Sequence, residues 1–193
     1  MTSYTGNMDL GLINVNQLNS ANVWSTTGIV TLTLIAIQIF AGKSFTNCDD
    51  TSAGRQILHS LVHGSAVHLL VNIFTFIQLY RLEQILGSRN YFILILIILI
   101  LSSLLYWLIN KLLYGSYLQC SVGFSGVLFG LLVWSRMVIN GGSFNIREIL
   151  LWSSLLIIPV LQNPRISLLG HLSGLLVGLF LWPILSPILL GQR

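Results

Sequence analysis

"YFILILIILILSSLLYWLIN", residues 91–110, decides the fold. These twenty residues carry no charge. A helix needs about 20 mostly apolar residues to cross the roughly 30 Å hydrocarbon core of a bilayer. The remainder of the chain follows the same rule. Of its 193 residues, 54% are hydrophobic and only 7% charged, against about 25% charged in an ordinary soluble domain. Such a chain cannot cover itself in polar side chains, so its solvent is largely lipid.

Outward from that run, six spans are predicted, at residues 23–42, 65–80, 91–110, 119–134, 149–161 and 166–190. The fifth is short and ends at "IPVLQNP", where Pro159 interrupts it. The expected organisation is an all-α membrane protein: a short polar tail over 1–22, one six-helix domain over 23–190, and a tail at 191–193. Residues 1–22 hold no Lys or Arg, unlike a secretory signal peptide. Residues 43–64 include Lys43, Asp49, Asp50, Arg55, His59 and His63, too polar to cross a bilayer, and are expected to be irregular. The net charge of +4 is scattered, which argues against a nucleic-acid partner. Arg81, Arg89, Arg136, Arg147 and Arg193 collect on one side; Lys43, Arg55, Lys111 and Arg165 collect on the other. The positive-inside rule does not separate five from four.

Three spans that run in the same direction carry polar residues near their starts: His68 and Asn72 in the second, Ser125 in the fourth, His171 in the sixth. At about 1.5 Å rise per residue, one or two turns in, they share a shallow layer. Residues four apart share a helix face, so His68 and Asn72 point together. Ionisable groups within a membrane are costly and face a bundle interior or a wet cavity. "SVGFSGVLFG", residues 121–130, sets Ser125 between Gly123 and Gly126, and Gly130 repeats the four-residue interval. "GHLSGLLVG" places Gly170, Gly174 and Gly178 at the same interval beside His171. Small residues so spaced let membrane helices approach closely, which would carry Ser125 towards His171. A serine becomes a nucleophile when an adjacent base takes its proton. His68, Asn72 and the Ser125 N–H could then donate to the oxyanion. No Asp or Glu in the sixth span orients His171, so the expectation is a dyad rather than a triad.

"GFSG", "HLLVN" and "GHLSGLLVG" together resemble the rhomboid intramembrane serine proteases, over about residues 23–190. The resemblance implies a six-transmembrane-helix rhomboid-like bundle with Ser125 as nucleophile, His171 as general base, and His68 and Asn72 as oxyanion partners. It also implies an aromatic at Phe129 packed against the base. Gly123, Gly126 and Gly174 act in support, and no cofactor or metal is implied. Arg55 resembles the arginine of a first-loop Trp-Arg pair, although Gly54 replaces the tryptophan. Glu83 and Gly87 resemble the Glu…Gly at the end of the family's second helix. "VGFSGVLF" and "LLGHLSGLLVG" are most similar to the endoplasmic-reticulum rhomboids. That implies an amino terminus in the cytosol and a catalytic layer open to the lumen, or a plasma-membrane site if the source is bacterial. The partners implied are membrane-protein substrates and the lipid bilayer.

Plainer readings stand beside these. Ser125 could be a packing serine, Phe129 ordinary core or lipid-facing packing, and His68 and Asn72 could simply bond to the first loop. His59 and His63 are four apart but lack the His-Glu-x-x-His pattern of a zinc protease, so they are expected to cap the second span or brace the loop. Cys48 and Cys120 fall on the catalytic side and could pair in an oxidising lumen. Two rival functions remain: a catalytically silent rhomboid-like protein that binds membrane clients, and a small transporter. Against the transporter, the polar groups occupy one depth only, and no inverted repeat is visible.

Overall fold

The computed structural model describes residues 24–45, 52–115, 121–143 and 167–191, with isolated positions 147, 150 and 154. Among these residues the fold is entirely helical, with seven helices: α1 Thr26–Phe45, α2 Ala53–His59, α3 Ala66–Gln78, α4 Tyr80–Leu86, α5 Ser88–Tyr114, α6 Ser125–Ile139 and α7 Leu168–Leu189. Two of them, α5 and α7, are long and apolar enough to cross a membrane alone, and the bent pair α3–α4 makes a third. α1 and α6 contribute shorter apolar helices. The expected fifth span, both cysteines and the amino-terminal tail lie almost wholly outside the described residues.

α5 is the central post. At about 1.5 Å per residue its 27 residues measure about 40 Å, longer than the hydrocarbon core. It runs beyond the predicted 91–110 at both ends because nothing at Ser88 or Lys111 breaks a helix; Gly87 (φ +76°) and Gly115 (φ +60°) do. One face buries Tyr91, Leu94, Ile98 and Ser102, and the neighbouring ridge buries Ile95, Leu99, Ser103 and Tyr106, a helical period throughout.

The second span differs from its expected 65–80. Ser65 caps α3 by accepting from the His68 N–H at 3.1 Å. The helix breaks at Leu79 and continues as α4, bent by 40°. Arg81 and Glu83 therefore continue the helical path rather than ending it. Glu83 is buried because it has donors to meet. Its two oxygens accept from the Thr26 N–H at 2.7 Å, the Thr27 N–H at 2.9 Å, and the Thr27 and Ser88 hydroxyls at 2.6 Å each. The first two are orphan amides at the start of α1, where a negative charge is favoured. Glu83 thus joins α1, α4 and α5 at one point.

The polar stretch 43–64 is not wholly irregular, because Ser52 caps the short α2 by accepting from the Arg55 N–H at 3.3 Å. Arg55 Nη2 donates to the Ser44 carbonyl at 2.6 Å, which ties α2 back to the end of α1. On the outside, α3 presents Val67, Leu70, Val71 and Phe74, and α7 presents Phe180, Ile184 and Ile188, all exposed. In water such a surface would be an aggregation hazard. In lipid it is the required one.

Candidate active site

Among the described residues the most extensive helix contact is α6 on α7, and glycine makes it. A Cβ added at Gly174 would stand 2.6 Å from the carbonyl carbon and 2.9 Å from the Cα of Gly126, with the carbonyl oxygen closer still. A Cβ at Gly178 would meet the Gly130 oxygen at 2.7 Å, and one at Gly126 would meet the Gly170 oxygen at 3.1 Å. Two backbones therefore touch along the four-residue ladder predicted from the sequence. No side chain larger than hydrogen fits between them.

Ser125 and His171 flank that contact. Ser125 is the first residue of α6, immediately before Gly126. It stands at the helix terminus rather than a turn or two inside, because Gly123 (φ +118°) turns the chain there. Its hydroxyl therefore sits beside the orphan amides of a helix start. His171 is buried in the first turn of α7, immediately after Gly170. Its ring stacks on Phe129, with centroids 4.6 Å apart and planes at 29°. Its Nδ1 is buried with no hydrogen-bond partner among the described residues. Among the described residues no carboxylate hydrogen-bonds this ring, and the Phe129 face packs against its plane. No hydrogen bond joins Ser125 to His171 among the described residues. Such bonds are often long before substrate arrives.

α3 supplies the other wall. A Cβ at Gly123 would lie 2.6 Å from His68 Cε1, 3.0 Å from His68 Nε2 and 3.6 Å from Asn72 Nδ2. His68 and Asn72 thus press against the turn that presents Ser125. Asn72 is buried, and its Nδ2 has no partner among the described residues. The structure brings together Gly126 and Gly174 through backbone contact, His171 with Phe129 by stacking, and His68 and Asn72 around Gly123. Among the described residues no group of three or more His, Cys, Asp or Glu could hold a metal.

The expected role of His59 and His63 resolves in favour of bracing, since Ser65 does the capping. The His59 carbonyl accepts from the Gly123 N–H at 3.1 Å. His63 Nε2 accepts from the Phe124 N–H at 3.4 Å. Gln56 Nε2 donates to the Ser121 carbonyl at 3.0 Å. Gln38 of α1 grips the His63 backbone twice, accepting from its N–H at 2.7 Å and donating to its carbonyl at 3.0 Å. Gln38 and Gln56 escaped the sequence reading. The one available signal was a carboxamide at Gln38 inside the apolar stretch 34–42 of the first span.

These features define a class: an all-helical membrane protein with a polar cluster gathered at a glycine-mediated helix crossing. The Rhomboid domain model matches residues 51–188, and the chain belongs to the rhomboid family. A rhomboid protein of Acanthamoeba polyphaga mimivirus is 33% identical over 167 residues, covering 86% of this chain and 93% of that protein. Rhomboid-related protein 4 of Mus musculus is 35% identical over 138 residues, covering 65% of this chain and 44% of that protein. Rhomboid-like protein 15 of Arabidopsis thaliana is 34% identical over 135 residues, covering 61% of this chain and 33% of that protein. The chain thus spans nearly all of the viral relative and less than half of the other two.

Proposed function

We propose that this chain is an intramembrane serine endopeptidase with a Ser125–His171 dyad, built as a six-span bundle over residues 23–190. The observation that carries the reading is the glycine crossing of α6 and α7, which sets Ser125 and the Phe129-stacked His171 on either side of one backbone contact. In the proposed reaction the Ser125 hydroxyl adds to the scissile carbonyl of a membrane-embedded substrate while His171 takes its proton. The oxyanion is met by the Asn72 amide, by His68 and by the Ser125 N–H. Collapse passes the proton from His171 to the leaving amine and leaves an acyl-serine, which water, activated by His171, then hydrolyses. A substrate helix must unwind to expose its carbonyl, so Gly or Pro in the substrate and small residues at the cut favour cleavage. The site lies near the lumenal or exterior face, in a secretory-pathway membrane if the source is eukaryotic and in the plasma membrane if it is bacterial.

A fluorophosphonate probe on the purified protein, paired with a generic transmembrane substrate, tests this. Labelling and cleavage are expected in the wild type, and both should vanish in Ser125→Ala and in His171→Ala. Labelling that persists in Ser125→Ala would refute the assignment of the nucleophile. The second reading is a client-binding rhomboid-like protein without proteolysis. That reading expects no labelling and retained binding of the same transmembrane segment.

A further inference from the structure

A nucleophile at the first residue of a helix is held by the segment before it, and residues 121–124 have little structure of their own. Phe124 is the N-cap of α6 but supplies no side-chain cap bond, and Gly123 sits at φ +118°. What holds them lies across the chain: the His59 carbonyl on the Gly123 N–H and His63 Nε2 on the Phe124 N–H. His63 is itself almost inaccessible, at 1% exposure, and its ring meets His68 edge-on at 5.1 Å. The carboxamide of Gln38 matches the His63 peptide groups donor to acceptor and acceptor to donor, as a second backbone would.

We propose that Gln38 and His63 form a positioning relay for the nucleophile, in which Gln38 fixes the His63 backbone and His63 Nε2 fixes the Phe124 amide that leads into Ser125. The proposal rests on the serine-protease reading and assigns two residues that act through the segment they hold. Two physical features favour a functional over a merely structural role. To accept at Nε2, a neutral imidazole must carry its proton on Nδ1, yet Nδ1 of His63 is buried with no partner among the described residues. An unsatisfied buried donor is costly and calls for an explanation beyond packing. In addition, one imidazole touches both the nucleophile's segment and the His68 ring. It therefore sets the spacing between attacking hydroxyl and oxyanion donor, a distance to which reactivity is steeply sensitive.

The test is the rate of fluorophosphonate labelling per folded molecule, with folded fraction taken from the thermal transition in detergent. Gln38→Leu and His63→Leu should each label at least 30-fold more slowly. His63→Gln keeps an acceptor near the Nε2 position and should label within about threefold of wild type. The double variant Gln38→Leu/His63→Leu should label no more slowly than His63→Leu alone, because both act through one bond. Gln38→Glu keeps the acceptor for the His63 N–H but loses the donor to its carbonyl, so its rate should fall between wild type and Gln38→Leu. It provides a second variant if the leucine substitution unfolds the protein. Folded Gln38→Leu or His63→Leu that labels at the wild-type rate overturns the relay while leaving the protease reading intact. Multiplying effects in the double variant also overturn it. A wild type that does not label overturns both.

Discussion

Gly174→Ala isolates the α6–α7 crossing, since it adds one methyl group and nothing else. The new Cβ would stand 2.6 Å from the Gly126 carbonyl carbon, where ordinary contact begins at 3.4 Å. All three nearest atoms are backbone, so no rotamer change relieves the overlap. The helices must separate by about 1 Å or more at that level. Overpacking of this kind costs about 1–3 kcal/mol, and the rigid backbone partner places the expected value at the upper end. Ser125 and His171 ride on opposite sides of the gap, and a displacement of about 1 Å at a catalytic pair costs on the order of 100-fold in rate. Thermal melts in detergent and the fluorophosphonate labelling rate, measured on the same preparation, report the two effects separately. Gly54→Ala in α2 is the control. Nothing lies within 4 Å of its added Cβ, so it should leave labelling unchanged and stability equal or slightly higher. A Gly174→Ala protein with wild-type melting and wild-type labelling would show that the helices are not packed backbone to backbone, and the geometric argument for the dyad would fail with it.

Glu83→Gln replaces an acceptor-only group with one that must aim an NH₂ at donors. With two backbone amides and two hydroxyls to satisfy, it should lose about 2–4 kcal/mol of stability in a detergent melt; a loss under 0.5 kcal/mol would show that the cluster does not hold α1 in place. Gly123→Ala drives a methyl group into His68 at 2.6 Å from a backbone at φ +118°; labelling should fall at least 100-fold, and a reduction under threefold would count against His68 as a wall of the site. Burial, with a smaller contribution from the neighbouring charge of His68, pushes the His63 pKa down to about 4 from its ordinary 6.5. Between those values the unfolded chain binds a proton that the folded chain refuses. Stability should thus be full above about pH 6.5 and decline as pH falls towards 4, by about 3 kcal/mol in all. His63→Gln should flatten that part of the slope, and an identical slope in the variant would place the titration elsewhere.

Much of the candidate site was legible because its residues are anomalous in their setting. A histidine, an asparagine and repeated glycines inside apolar runs have few purely structural uses, and their four-residue spacing specifies which faces meet. The ladder from Gly126 to Gly178 could be read from that spacing alone. The boundaries of the second span could not. Arg81 and Glu83 look like the polar end of a membrane helix, and only the Thr26, Thr27 and Ser88 donors, brought from elsewhere in the chain, make a buried carboxylate tolerable there. The start of α6 was misjudged for a related reason. No charge or proline interrupts residues 119–134, whereas the turn at Gly123 is set by contacts with His59, His63 and His68 that lie at least 50 residues away in sequence.

Placing the serine at the first residue of α6 has a consequence for how the site is divided. A side chain in mid-helix inherits its position from the intrahelical hydrogen bonds around it. At the terminus those bonds run only forward, and the backward constraint has to come from other elements. Here the forward constraint is the glycine crossing with α7, which also carries the base. The backward constraint is the bracket formed by α2, the 60–65 turn and α1. The first acts through contact between two backbones and tolerates no added atom; the second acts through directional hydrogen bonds and tolerates a conservative acceptor. Substitutions on the α7 side should therefore lower stability and labelling together. Gln38→Leu and His63→Leu should lower labelling out of proportion to stability, and that contrast separates the two halves of the site without knowledge of the natural substrate.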